Sequence, residues 1–365
     1  MNGLKTFGLM MLALGTSTWA CGQSTPKYSN EFLSVGVGGK AFGMSHAVVA
    51  SVDDVTAAYW NPAGLVNIED NIQLSYMHTN YFAGIANYDY GGLAFKAGDK
   101  GAMGVSFIRM GVDGIPNTLD LFRNGQIDYD RITEFSAVDY GFLFSYAQKL
   151  AKEGLSFGGS AKIVHRKAGQ FAKSWGFGID AGFQYKTTND WKFAAMARDV
   201  TSTFNAWSFN FTDAENEVLT QTGNDIPRNS LEITLPKIII GAAKHLDFGD
   251  RISLDAELDV DISTDGKRNV PVKTDVFSMD PHLGIQAGYM KVVYLRTGIG
   301  SFQQVYDFDQ KESWTFQPNI GLGVNLEKFA LDYAMANVGQ VGVANYSHVF
   351  SIQFKINSKV DSEPE

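Results

Sequence analysis

From residue 71 to residue 356, apolar side chains alternate with polar or small ones in segments of about ten residues. No stretch after the N-terminal leader holds the continuous apolar run of about 18 residues that a membrane helix needs. Any membrane-spanning form of this chain is therefore a closed barrel, because in lipid every backbone amide must find its partner inside the structure. Alternation bounded by turn residues places strands at 71–79, 84–95, 101–112, 134–149, 154–167, 174–186 and 190–199, then at 236–246, 250–262, 279–290, 292–302, 313–325, 328–337 and 346–356.

The two faces are sharply different. In the fourth segment Val138, Tyr140, Phe142, Phe144 and Tyr146 oppose Ala137, Asp139, Gly141 and Ser145; in the ninth Ile252, Leu254, Leu258, Val260 and Ile262 oppose Ser253, Asp255, Glu257, Asp259 and Asp261. A row of carboxylates like the latter needs water or cations beside it. A soluble sandwich would turn the apolar face inward, and single strands permit that reading. The connections decide against it. Brief turns (KAGDK, LAKE, TTN, DFG, LE) alternate with longer links, notably 113–133, 200–235 and 263–278, as in outer-membrane barrels with short periplasmic turns and long external loops. The expected fold is all-β: a transmembrane antiparallel β-barrel of about 14 strands, with both termini on the periplasmic side.

Plentiful Gly (38), Phe (26) and Tyr (15) with only 19% charged residues suit such strands. A net charge of -9 with no basic stripe excludes a nucleic-acid partner. Residues 1–22 read as a signal peptide: Lys5, an apolar run too short to span a bilayer, and small residues around the lone cysteine, Cys21. Lipidation of Cys21 is the alternative, against which Trp19 is a poor fit. Residues 23–70 then form an N-terminal periplasmic hatch, 71–356 the barrel and 357–365 a polar tail.

Residues 36–67, GVGGKAFGMSHAVVASVDDVTAAYWNPAGLVN, resemble nothing else in the chain. They read as two short helices and a turn. The small residues of 43–50 permit close backbone approach, Asp53 or Asp54 caps a helix through 56–59, and Asn61 with Pro62 starts a corner through Ala63 and Gly64. A barrel of this strand number is too wide for its own side chains to fill, so this segment is the candidate plug.

FLSVGVGGKAFGMSHAVVASVDDVTAAYWNPAGLV resembles the N-terminal signature of the PorV/PorQ family, FadL-like outer-membrane barrels found with type IX secretion in Bacteroidetes. The small-residue run, Asp53-Asp54 and Asn61-Pro62-Ala63-Gly64 carry it, and YFAGIANYDYGGLAF and SWGFGIDAGFQYK extend it through the barrel. The resemblance implies a 14-stranded barrel with a hatch. It also implies partners: type IX translocon or attachment-complex proteins and the C-terminal domains of secreted cargo.

Nothing in the sequence points to catalysis. His46, His78, His165, His245, His282 and His348 are scattered without metal-ligand spacing, no GxSxG occurs, and DFDQKE after Tyr306 lacks the order of a calcium loop. No cofactor or metal is expected. Asp139, Asp180, Asp255, Glu257, Asp259 and Asp332 are expected to face the lumen, met by Lys162, Lys192, Arg198 and Arg296, in a wet interior that holds the hatch or lines a selective aqueous path. Phe122, Tyr129, Phe204, Trp207, Phe209 and Phe211 are expected in external loops that dock partners, or in the upper aromatic girdle. The expectation is a non-enzymatic secretion component embedded in outer-membrane lipid. The alternative is a FadL-like transporter of hydrophobic small molecules, and a structural or motility-associated barrel differs from the first only in its partners.

Overall fold

The computed structural model of the chain describes residues 29–123, 126–306, 309, 311–336 and 346–357, with the Phe122 and Arg123 side chains excepted. The signal-peptide reading, Cys21, three residues of the DFDQKE stretch (307, 308 and 310) and the tail beyond residue 357 lie outside the described residues.

Fourteen antiparallel spans close into a barrel. They are β1 (Ile72–Tyr81), β2 (Ala86–Ala97), β3 (Gly101–Asn117), β4 (Thr133–Lys149), β5 (Leu155–Ala168), β6 (Ala172–Lys186), β7 (Trp191–Arg198 with Thr203–Phe209), β8 (Ser230–Thr234 with Lys237–Phe248), β9 (Ile252–Ser263), β10 (Ser278–Tyr289), β11 (Val293–Tyr306), β12 (Glu312–Asn325), β13 (Phe329–Ala336) and β14 (Ser347–Ile356). Each pairs with its neighbours, and β1 pairs with β14 from Ile72↔Ile356 to Thr79↔Val349, so no edge is left for lipid to meet. Outward positions carry Leu74, Phe144, Ile179, Phe193, Ile240, Leu258, Ile285 and Leu322, all exposed, which is the face a bilayer covers.

The expected strands match closely, with one correction. The stretch 200–235 is not all loop: β7 resumes at Thr203 and β8 begins at Ser230, so Phe204, Trp207 and Phe209 stand in the wall. The alternation fails locally because Asp199 and Ser202 adopt left-handed backbone, and Pro236 offers no amide for the ladder. Only the link from Phe209 to Ser230 is loop; it carries α3 (Asp213–Gln221), started by a Thr212–Glu215 capping box.

Residues 29–70 lie inside the barrel. They contain a 3-10 turn (Glu31–Leu33), α1 (Gly39–Gly43), α2 (Ala57–Trp60) and a second 3-10 turn (Pro62–Asn67). The first helix thus ends where the small-residue run begins, and 44–51 are turns. The segment also runs the length of the lumen. Asn30 meets Thr234 and Asn205 near the long-loop end, whereas Asp70 meets Asn357 at the short-turn end. It is not confined to the turn end, as a purely periplasmic hatch would be.

Inward glycines make the room. A Cβ on Gly158 would collide with Pro62 and Ala63, one on Gly298 with Met44, and one on Gly284 would come within 2.8 Å of Met44. Replacing Gly158 by Leu is expected to leave the lipid face intact, so folded barrel still shows heat-modifiable gel mobility. The seat of the Pro62 turn is lost, at a cost of about 1–3 kcal/mol for overpacking. Limited proteolysis reads this as new cleavage within 36–67; full protection would count against the wall glycines as the plug's seat.

Candidate functional site: the lumen plug and its wall

The strongest polar anchor lies on β9. Successive backbone amides of the plug point at two inward carboxylates: Val48 and Val49 N–H donate to Asp259 Oδ2 at 2.8 and 2.9 Å, and Ala50 and Ser51 N–H to Glu257 Oε1 at 2.6 and 3.3 Å. Both acids are about 1% exposed. A hydrogen bond of this kind is worth about 0.5–1.5 kcal/mol, and leaving the buried amide unpaired costs about 1–3 kcal/mol. No sequence signal could have paired β9 with residues more than 200 positions away.

Asn61 ties plug to wall. Its Oδ1 accepts from Ala63 N–H at 3.2 Å, and its Nδ2 donates to Val49 O and to Phe183 O of β6, both at 3.1 Å. Pro62, Ala63 and Gly64 are fully buried beside it; Gly64 is needed because a Cβ there would collide with the Val52 carbonyl. Gln184 donates to Val49 O and Val52 O, and Ser156 to Ala63 O. Asp54 accepts from Thr56 N–H at 2.8 Å in the turn that leads into α2, whose N-cap is Thr56 and not Asp53 or Asp54 as expected.

Asp53 pairs with Lys40 at 3.2 Å and with Lys192 of β7 at 3.7 Å. Burial alone would raise Asp53, but the two ammonium groups outweigh it and hold its carboxyl below the usual range. Burial opposes charge on Lys40 too, and Asp53 and Asp54 reverse it, keeping that ammonium above its usual pKa. His46, edge-on to Phe42 at 4.9 Å and 5.3 Å from Trp60, is pushed by burial, with His282 nearby, down to about 3.

The remaining predicted lumen charges sit inside, in several separate networks. Lys162 holds Asp180 (2.8 Å) and Asp199 (2.6 Å) and braces the break in β7. Arg296 pairs with Asp332 at 2.5 Å. Asp255 meets His245 and Gln286 instead of a cation from the expected set, and Asp139 meets Arg166, which sequence reading missed. Among the described residues Arg198 pairs with no carboxylate; it lies over the Tyr59 ring at 4.4 Å and donates to Leu33 O and Tyr59 O. Of the expected loop aromatics, Tyr129 is exposed on an external 3-10 turn and Phe211 stacks on Phe171 at 5.6 Å. Phe204 faces outward from the wall; Trp207 donates to Glu232 and stacks with Phe209. Phe122 begins a two-residue strand of an external ribbon.

Two sizeable polar cavities flank the plug. One of about 470 Å³ at the turn end is lined by Lys40, Asp53, Lys192, Asp255 and Arg296; one of about 270 Å³ toward the loop end is lined by His46, Asp261, Asp280 and His282. The apolar part of the interior is elsewhere. Ile108, Met110, Val112, Leu143 and Val164 of β3 to β5, with Tyr81 and Tyr88, form one sector, covered by Phe32, Leu33 and Val35 of the arm preceding α1. At Phe32 and Leu33 the arm is gripped by Tyr88 OH on Phe32 O (3.1 Å), Tyr59 OH on Leu33 O (2.6 Å) and Arg198 on Leu33 O (3.3 Å).

A monoaromatic hydrocarbon channel, CymD, superposes with a TM-score of 0.57 at 14% identity, covering 89% of this chain and 98% of that one. The fold is that of a FadL-like outer-membrane barrel. The toluene transporter TbuX of Ralstonia pickettii (TM-score 0.51, 14% identity, 88% and 99% covered) and a FadL homologue of Pseudomonas aeruginosa (0.52, 14%, 87% and 97%) share it. No family model and no curated protein matches the chain. The structural neighbours are channels and transporters rather than enzymes, and the chain shares the fold of outer-membrane barrels.

Two outcomes follow for the plug. Asp259→Ala leaves the Val48 and Val49 amides buried without partners, at about 1–3 kcal/mol each. Ion conductance across a planar bilayer should rise; wild-type conductance would remove β9 from the sealing role. Acid should act likewise. The depressed His46 binds its proton less readily folded than unfolded, so plug stability falls as pH drops from about 6.5 towards about 3. Asp53, also depressed, extends the loss below its ordinary carboxylate range. Conductance recorded from pH 7 to 4 should therefore increase, and His46→Phe should flatten the upper part of that profile.

Proposed function

We propose that the chain is a plugged channel for small hydrophobic molecules, taken up from outside the outer membrane. The observation that carries this is the apolar sector of the inner wall, Tyr81, Tyr88, Ile108, Met110, Val112, Leu143 and Val164, covered by a short arm whose Phe32 and Leu33 are tied to their surroundings through their carbonyls. A lumen needing only a wet, inert plug gains nothing from such a sector. With the arm displaced, the sector offers the apolar lining with a few placed polar groups that small-molecule sites use. CymD, a monoaromatic hydrocarbon channel, and TbuX, a toluene transporter, agree with that chemistry on the same fold.

The sequence resemblance supports a second reading, a PorV/PorQ-type barrel that docks type IX translocon or attachment-complex proteins and the C-terminal domains of secreted cargo. The ribbon and 3-10 turn carrying Tyr129, with the 210–229 link and α3, would supply its external surface. The Asn61 to Gly64 motif that carries the resemblance is buried and shapes the plug.

Uptake of a labelled monoaromatic hydrocarbon by cells lacking other channels tests the first reading. Wild type should support uptake, Tyr59→Phe with Tyr88→Phe should raise it by freeing the arm, and Ile108→Asp should reduce it severalfold. No uptake by any of these, with translocon or secreted proteins recovered by detergent pull-down and mass spectrometry, would replace the first reading by the second.

A further inference from the structure

We propose that the outward face of the β5–β6 hairpin binds the phosphate of a phosphorylated glycolipid in the outer leaflet. Lys167 and Lys173 lie directly opposite each other across these strands, next to the external hairpin tip, where Ala168 pairs with Ala172. Both are exposed. Like charges at opposed positions repel, and a sheet keeps them at a cost unless an anion sits between them. The protein does not supply that anion among the described residues. Their outward neighbours across the adjoining strands are Val138 of β4 and Ser208 of β7. The lumen side of the same hairpin is treated differently, for Arg166 there is matched by Asp139 at 3.0 Å and Glu232 at 3.3 Å.

What lies beneath the lysines points to a lipid as the source of the anion. One register step towards the membrane, Tyr140, His165 and Trp175 stack side by side, with centroids 6.3 and 4.2 Å apart. Aromatic rings at this level mark the bilayer interface. Below them Phe177, Ile179 and Phe183 continue an exposed apolar stripe down β6. From the hairpin tip inward the order is thus paired ammonium groups, a flat aromatic platform and an acyl-facing stripe. A phosphorylated glycolipid presents the same order: phosphate, sugar ring, acyl chains. A free phosphate would use the first layer only.

The test uses the full-length barrel in detergent, titrated with bis-phosphorylated lipid A and read by native mass spectrometry. Each lysine near an anionic surface is worth about 1 kcal/mol, or about fivefold, so Lys167→Ala with Lys173→Ala should weaken binding about 25-fold. Lys167→Arg with Lys173→Arg should retain it. Removing the phosphates from lipid A should weaken binding as much as the double alanine variant does. Heat-modifiable mobility checks that each variant is folded. Three results would each overturn the proposal: undiminished binding by the folded alanine variant, equal affinity for phosphatidylglycerol, or equal affinity for inorganic phosphate.

Discussion

The structure depends on a contact between backbone and backbone: plug against wall, at positions where the wall has no side chains. Fourteen strands enclose more space than their inward residues can fill. The wall answers with Gly104, Gly158, Gly182, Gly284, Gly298 and Gly321 facing inward, each lying against a plug residue or a side chain that holds the plug. Close approach brings the plug's own amides and carbonyls to the wall, and these polar groups must be paired there because water is excluded. Glu257, Asp259, Gln184, Ser156 and Asn61 do that pairing. Shape and polarity are thus two consequences of one constraint: a plug that fits a glycine-lined wall must be hydrogen-bonded to it.

That constraint explains what sequence could show. Period-two alternation is enforced by lipid on one side, so strands and their faces are legible almost throughout. Glycine and acidic residues on the other face report a lumen that is crowded and polar. Their partners are not legible. Glu257 and Asp259 called for water or cations, yet they received amides from residues 48–51, a choice made by barrel closure and by the path of the plug. Asp139 found Arg166 because their strands pair at that register, which alternation alone does not specify.

The one architectural miss has a local cause. Between Arg198 and Thr203 the chain leaves the ladder, with left-handed backbone at Asp199 and Ser202, and β8 breaks opposite it before Lys237. Lys162, Asp180, Asp199 and Thr203 rebuild with side chains what the ladder loses, including a 2.7 Å bond from Asp199 N–H to Asp180. A break in a membrane wall is tolerable only with such substitution, since an unpaired amide there costs several kcal/mol. The acids and the lysine in this network were legible as inward charges. Their structural task was not, because it exists only where the strand fails.

The plug is also held unevenly, and this bears on how it moves. Its middle, residues 48–51 and 61–63, is bound to β6 and β9 through carboxyl and amide side chains fully inside the wall. The arm before α1 is held by Asn30 on Thr234 and Asn205, by two phenols and one guanidinium on carbonyl oxygens, and by apolar contact to β3–β5. The apolar contact is the one interaction among these that a hydrophobic ligand replaces at little net cost. On the proposed function, local opening begins at the arm while the β9 anchor stays closed. A hydrophobic ligand entering from the loop end would meet that arm before the anchored turn, so an apolar site could open while the middle of the plug stays bound to the wall.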